Sequence, residues 1–481
     1  MTERNLYSFL NELSDNYESA TKQIPLFMIY QGGEVISISH RQFMEDISRL
    51  QPYYAHMREK RIGIAAPNSY SWLINAIAIL LAEKHLILFD ANLNDNDFNN
   101  LLSYSDTEAL VTSDELFHQM NFIPEYISVY SFPSPEKSGL SAENYAQTNF
   151  CSSEEISFMC FTSGTSKSSK GVVITVESLI KMTQLAAGNL PGNSGERYFI
   201  PLPLYHIYAF TSIFHVMMHG GIICLGTSPR TFKQEIEAFD PHTALLVPSM
   251  LQFLLDRKIS PLSLSCVITG GSACRPELSQ RAISQGFHYY NFYGLSETLG
   301  WICTSVSEKK VQWLKPFNGI RFFTDENGEV GISLPAHMKE YYKKPEDTKH
   351  VLDGDIFWTG DSGMISEDGC VCIQGRLRDT IVLDNGEKIH SEDKDQDLMQ
   401  IPHVKEAAVF LTEVGLTVAV VADDEVNWNE ICRSIDDYNQ KFSPIYRIKQ
   451  YWNRTEALPR TSTGKLKRFS LEEEYKKTFK K

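Results

Sequence analysis

Apolar residues along much of the chain fall in short unbroken runs: LILF (86–89), ALVT (109–112), ALLV (244–247) and CVIT (266–269). Runs of this length without polar alternation mark strands buried on both faces, as in a parallel sheet covered by helices. Between them lie helix-length segments such as 68–83 and 276–285. The longest apolar stretch, 72–82, contains Asn75 and is too short to span a bilayer, so it reads as a buried helix. Further on, AAVFL (407–411) and LTVAVV (416–421) add two strand candidates. Alternating strands and helices predict an α/β body. The Ser/Glu/Pro-rich stretch 131–155 reads as a connection, and no internal repeat is visible.

One interval between apolar runs carries chemistry. FMCFTSGTSKSSKGVVIT (158–175) sets two glycines, six hydroxyl side chains and two lysines between two strand-like segments. Small residues let backbone N–H groups approach anionic oxygens, Ser and Thr add donors, and Lys adds charge, so this is a cradle for a polyphosphate. A Walker loop is excluded: counting from Gly164, its Gly-Lys-Ser/Thr places hold Ser169, Lys170 and Gly171, and the lysine alone fits. Taken alone, the stretch also reads as a surface hairpin loop. A second lysine-bearing loop, PRTSTGKLKR (459–468), follows about 300 residues on.

The first loop resembles the TSGTTGxPKG signature of the acyl-adenylate-forming superfamily, which includes acyl-CoA synthetases, coumarate ligases and luciferases. Further motifs follow in the family order: LPLYHIYAF (202–210), ITGGSACRPEL (268–278), YGLSET (293–298), WTGD (358–361), GRLRDTIVLDNGEKI (375–389) and PRTSTGKLKR. The resemblance implies a large N-terminal adenylate-forming domain of mixed sheets and helices, 1–375, and a small mobile α+β C-terminal domain, 376–481. It implies a reaction in which ATP activates a carboxylic acid to acyl-AMP with release of pyrophosphate. The acyl group then passes to the thiol of CoA or of a phosphopantetheinyl carrier protein.

The chemistry justifies the roles. A carboxylate has no usable leaving group, and making AMP the leaving group requires an in-line attack on the α-phosphate with charge neutralised and groups positioned. By the resemblance, Thr162, Ser163, Gly164, Thr165 and Lys170 hold the β- and γ-phosphates, with Thr165 and Glu297 at Mg²⁺, a cation that prefers hard oxygen ligands. Tyr293 stacks on adenine, Gly270, Gly271 and Ser272 line its edge, Asp361 accepts the ribose hydroxyls and Arg376 reaches the same ribose. His206, Tyr208, Ser212, Gly271 and Gly294 take acid-pocket positions, and Lys465 bridges carboxylate and α-phosphate. Arg378 occupies the hinge where the small domain rotates between half-reactions.

Amino-acid-activating relatives carry an Asp at position 206 to pair with the α-ammonium; His206 cannot, so free amino acids are set aside. The hinge segment resembles that of long-chain acyl enzymes, which ranks a fatty or polyene acid ahead of an aryl acid. The chain departs from the pattern at Lys167 and Ser169, where the family has Gly and Pro, and at Val382 and Ser391, where it has Lys and Pro. These departures keep two other readings open: an adenylase that hands its acyl group to a partner without CoA, and a non-catalytic nucleotide or acyl-ligand binding protein.

Composition narrows the setting. At 481 residues the chain calls for two or more domains, and 42% hydrophobic with 22% charged is ordinary for a soluble protein. The first fifteen residues carry acids where a signal peptide needs basic and then apolar residues, so the expectation is cytoplasmic with no integral membrane segment. Nine irregularly spaced cysteines read as reduced thiols, and the C-x-C pair Cys370/Cys372 lacks a second pair to complete a zinc site. A net charge of −15 argues against nucleic acid as a partner. Residues 447–481 hold eleven Lys/Arg against four Asp/Glu, a basic segment suited to an anionic acceptor such as CoA or an acidic carrier protein.

Overall fold

The computed structural model describes residues 6–19, 22–118, 123–135, 155–162, 170–305, 311–377, 380–382, 388–423, 426–460 and 466–479. These divide into two compact units: one of residues up to Thr162, Lys170–Arg321 and Ser333–Phe357, the other of Phe322–Ile332 and everything from Trp358.

The first unit holds two sheets whose centres are parallel. In one, His85–Leu88, Arg61–Ala65, Ala109–Thr112 and Ser128–Ser131 run parallel to Ser157–Phe161. Antiparallel Gly171–Thr175 and Glu340–Tyr341 complete its edge. In the other, Phe27–Gln31, Ile222–Leu225, Arg197–Ile200, Thr243–Leu246, Cys266–Thr269 and His288–Leu295 are parallel neighbours, followed by antiparallel Gly300–Ser305. All four apolar runs chosen as buried strands fall on strands with buried side chains, except that Phe89 follows its strand and the half-buried Val247 caps the next helix. The apolar stretch 72–82 forms most of the helix Tyr70–Leu81 and its C-cap Ala82; the N-cap is Ser69, whose hydroxyl accepts from Trp72 N at 3.0 Å. Asn75 is tolerated there because its amide donates to Ser71 O and its oxygen accepts from the buried Tyr54 hydroxyl at 2.5 Å. The second helix expectation is met by Pro276–Ser284, with proline in its first turn. Most of the expected connection 131–155 lies outside the described residues.

The second unit begins with strands Glu329–Ser333, Ile356–Ile365 and Val371–Arg376. Its later part is a three-stranded sheet in which Val404–Thr412 and Gly415–Ala422 pair antiparallel and Gln450–Arg454 joins parallel. Val409, Val418 and Val420 pack with Leu398, Ile431 and Ile435 of helices Ser391–Leu398 and Trp428–Asn439. The alternate residues Ala408, Phe410 and Ala419 pack instead with Leu471 and Tyr475 of helix Arg468–Phe479. Period-two alternation thus sends the two faces of one sheet to two small cores. Among the described residues, no helix is long and apolar enough to cross a membrane.

Candidate functional site

In an open parallel sheet, ligands gather at the carboxyl ends of the strands, where loops carry the variable residues. Four adjacent strands of the first unit, Arg197–Ile200, Thr243–Leu246, Cys266–Thr269 and His288–Leu295, end at this edge. From the last two come Gly270, Gly271, Ser272, Tyr293 and Gly294, and the loop after the first carries His206.

The phosphate loop is closed at its base as an antiparallel hairpin. Gly171 faces Phe161, Thr162 N donates to Lys170 O at 3.0 Å, and Lys170 N donates to Thr162 Oγ1 at 3.3 Å. A Cβ on Gly171 would stand 2.5 Å from Met159 Sδ, so any larger residue where the loop ends would have to displace the Met159 side chain. Ser163, Gly164 and Thr165 lie outside the described residues.

Lys170 reaches two groups that the motif reading did not use. Its ammonium is 3.0 Å from Asp347 Oδ2 and 4.4 Å from the centre of the Tyr341 ring. The Tyr341 hydroxyl in turn donates to Glu297 Oε1 at 2.6 Å. Two residues assigned to phosphate and metal, 127 positions apart, therefore share one tyrosine. The same segment is pinned by Met338 N donating to Glu297 O and by Tyr342 N donating to Gly171 O. Glu297 sits on a turn held by the Thr298 hydroxyl, which donates to Gly300 O at 3.0 Å and accepts from Leu295 N at 2.9 Å. Gly294 is fixed by this turn, since a Cβ there would fall 1.7 Å from Gly300 O. Behind it, burial first and the Glu297 charge second push the Cys160 thiol up to about 12.

The half-buried Glu297 carboxylate suits a hard cation: one oxygen is committed to Tyr341 and the other takes no hydrogen bond among the described residues.

Helix Ile207–His219 brings the acid-pocket candidates together. His206 is its N-cap, Nδ1 accepting from Tyr208 N at 3.3 Å. Tyr208 is buried, its hydroxyl 3.4 Å from Leu246 O, and burial raises its phenol well above the usual range. Its ring borders the Gly270 Cα, where a Cβ would meet it at 3.2 Å, and Gly271 adopts φ +80°, so two glycines shape this wall. Ser212 is fully buried and its hydroxyl donates to the Tyr208 carbonyl one turn back, so it packs here rather than presenting a donor.

In the second unit, Asp361 and Arg376 face each other across paired strands, Arg376 Nε lying 2.8 Å from Asp361 Oδ1. Arg376 Nη1 also donates to Thr359 O, and Asp361 N donates to Thr359 Oγ1. The two residues assigned to the ribose are thus already an ion pair, with Asp361 3% exposed. Arg378 and Lys465 lie outside the described residues. The residues flanking 461–465 are described: Arg460 and Leu466 pair in an isolated antiparallel bridge, and Arg468 makes a buried ion pair with Asp395.

Motif reading missed Tyr341 and Asp347. The available signal was YYKKPEDTKH (341–350), a polar segment with two tyrosines whose position beside the loop depends on the edge pairing of Glu340–Tyr341.

Comparison with known proteins agrees with this geometry. The AMP-binding enzyme family matches residues 19–342. The 2-succinylbenzoate–CoA ligase of Staphylococcus epidermidis is 24% identical over 464 residues, 91% of this chain and 93% of that protein. The long-chain-fatty-acid–CoA ligase FadD13 of Mycobacterium tuberculosis is 26% identical over 355 residues, 68% of this chain and 69% of that protein. Among solved structures, o-succinylbenzoate CoA synthetase of Bacillus subtilis with its acyl-adenylate intermediate superposes with TM-score 0.78 at 19% identity, covering 96% of this chain and 97% of that one. The same enzyme with ATP and magnesium ion gives TM-score 0.77 at 18% identity, covering 96% and 99%. The α/β two-domain fold is therefore that of the adenylate-forming enzymes, and this chain belongs to the AMP-binding enzyme family.

Proposed function

We propose that this chain is an AMP-forming acid–thiol ligase: it activates a carboxylic acid with ATP to acyl-AMP, releases pyrophosphate, and passes the acyl group to CoA or to a phosphopantetheinyl thiol. The observation that carries the reading is the chain of contacts Lys170–Tyr341–Glu297, which joins the base of the phosphate loop to a metal-type carboxylate at the carboxyl edge of the sheet. Relatives across most of the chain's length are named as CoA ligases, which supports the thiol half of the reaction.

In this reading Thr162, Ser163, Gly164, Thr165 and Lys170 bind the terminal phosphates, Tyr293 stacks on adenine with Gly270, Gly271 and Ser272 at its edge, and Asp361 with Arg376 takes the ribose. Glu297, with Thr165, would hold Mg²⁺, which supplies charge neutralisation at the phosphates. His206, Tyr208 and Gly294 orient the acid, and Lys465 neutralises charge between the carboxylate and the α-phosphate. Asp361 is held ready by Arg376, so ribose binding exchanges one partner of an existing ion pair rather than ordering a loose carboxylate. Among the described residues of the basic segment 447–481, Arg454 pairs with Glu474, Arg460 with Glu406 and Arg468 with Asp395. A cytoplasmic setting fits an enzyme that consumes ATP and a free thiol.

The test is acid-dependent pyrophosphate release with Mg²⁺-ATP, across fatty, unsaturated and aryl acids, first without thiol and then with CoA or a phosphopantetheinylated carrier. Release graded by acid structure supports the reading and names the acid class. Binding of ATP without release for any acid overturns it in favour of a nucleotide-binding protein.

A further inference from the structure

The helix Ile207–His219 carries Tyr208, Ser212 and His215 on one face, at the i, i+4, i+7 spacing of a single stripe. His215 is therefore two turns, about 10 Å, further along that face than Tyr208. It is 1% exposed, and its ring lies 4.9 Å from that of Trp301, itself 3% exposed. Trp301 also meets the Tyr208 ring edge-on at 5.7 Å and Phe292 at 4.7 Å. It stands opposite Gly294 in the antiparallel pair that leads into the Glu297 turn.

The polar atoms here divide into two groups. Tyr208 Oη, Thr211 Oγ1 and Ser212 Oγ are each matched to a backbone carbonyl. Among the described residues, His215 Nδ1 and Trp301 Nε1 have no hydrogen-bond partner, although both are buried. A folded chain rarely leaves two such groups in ring contact unmatched, because each loses its hydrogen bonds to water. An indole N–H can only donate, and a buried neutral imidazole can donate or accept, so a keto or hydroxyl oxygen is able to match both. Burial holds His215 neutral, its pKa lowered to about 3.

We infer that His215 and Trp301 form a polar end to the acid pocket, and that the acid carries a hydrogen-bonding oxygen, keto or hydroxyl, in its distal part. This rests on the acid-activating reading above. It makes a plain alkyl or aryl-alkyl tail the poorer substrate, since such a tail leaves both nitrogens unmatched where an oxygenated tail would match them.

The test uses matched acids in the pyrophosphate assay: phenylbutanoic against benzoylpropionic acid, and decanoic against hydroxydecanoic acid. The expected result is at least a tenfold preference in kcat/KM for the oxygenated member of a pair. Trp301→Phe and His215→Leu should each drive that ratio toward one while raising the melting temperature, because each removes a buried unmatched polar atom. Two variants on different elements guard against one failing to fold. A wild-type ratio near one, equal loss of both acids in the variants, or a lowered melting temperature with the ratio intact, as a purely structural bridging water would give, overturns the inference. Release that does not discriminate between paired acids overturns this inference alone, whereas no release with any acid overturns the reading beneath it.

Discussion

Lys465 carries the most chemical weight of any single residue in the proposed mechanism, because a cation placed between two anions stabilises charge that exists only as they react. Lys465→Ala should lower acid-dependent pyrophosphate release by on the order of 10²-fold or more. Consumption of supplied acyl-AMP by thiol should be largely retained, and equal loss in both assays would refute the role. Tyr341 acts on a different quantity. Its hydroxyl holds Glu297 Oε1 while its ring faces Lys170, so Tyr341→Phe removes the first contact and keeps the second. A hydrogen bond to a charged group contributes roughly 1.5 kcal/mol or more, so the Mg²⁺ concentration for half-maximal rate should rise about tenfold. His215 supplies a pH signature. Its pKa is depressed by burial to about 3, below the ordinary value of 6.5, so between these values the unfolded chain binds more protons than the folded one. Stability is therefore undiminished by this ring's titration above pH 6.5, and it falls as pH drops toward 3 and the ring takes up a proton on unfolding. The slope approaches about 1.4 kcal/mol per pH unit. Denaturation midpoints measured across this window should fall less steeply for His215→Leu than for wild type.

At the scale of elements, the antiparallel pair His288–Leu295 and Gly300–Ser305 determines whether Tyr293, Glu297 and Trp301 meet their partners. The register shifts between Tyr293 and Gly294, and the turn closes so tightly that Gly294 abuts the Gly300 carbonyl. Gly294→Ala should force the strands apart, abolish acid-dependent pyrophosphate release and lower the melting temperature, whereas Ser272→Ala on the neighbouring loop should leave the melting temperature nearly unchanged. Calorimetry on both variants separates the two effects. The same element shows what periodicity could and could not deliver. YGLSET points to a glycine and an acid near the end of a strand, but nothing in it announces that residues 341 and 347 come from another segment to complete the site. Ser212 makes the converse point: the motif resemblance puts it among the acid-pocket positions, and its hydroxyl is committed to the helix backbone.

For the whole molecule, the later part of the second unit contains both of its own small cores, built from residues between Ile381 and Tyr475. It also contains the buried Arg468–Asp395 pair, which ties helix Arg468–Phe479 to helix Ser391–Leu398. A fragment of residues 376–481 should therefore fold alone, with one cooperative transition in denaturant. Asp395→Ala should destabilise that fragment by about 3 to 5 kcal/mol, since it leaves a buried guanidinium without its counter-charge. A fragment lacking a cooperative transition would move the structural boundary toward Trp358, where the second compact unit resumes.

The sequence by itself determined the class of fold and the class of chemistry. Unbroken apolar runs at 86–89, 109–112, 244–247 and 266–269 can be buried on both faces only in a covered sheet, and the ordered motifs from 158 to 468 resemble a single superfamily. These features are local: each is legible within eighteen residues or fewer. Tertiary structure alone decided which groups meet. Tyr341 reaches Glu297 because a short strand pairs at the edge of Gly171–Thr175; Asp361 meets Arg376 through cross-strand register; and His215 meets Trp301 because a helix packs on a strand nearly ninety residues away in sequence. The physical reason is that hydrophobic burial depends on residue type and local period, while hydrogen bonds and ion pairs depend on atoms arriving within about 3 Å of one another, and only the packed chain sets those distances.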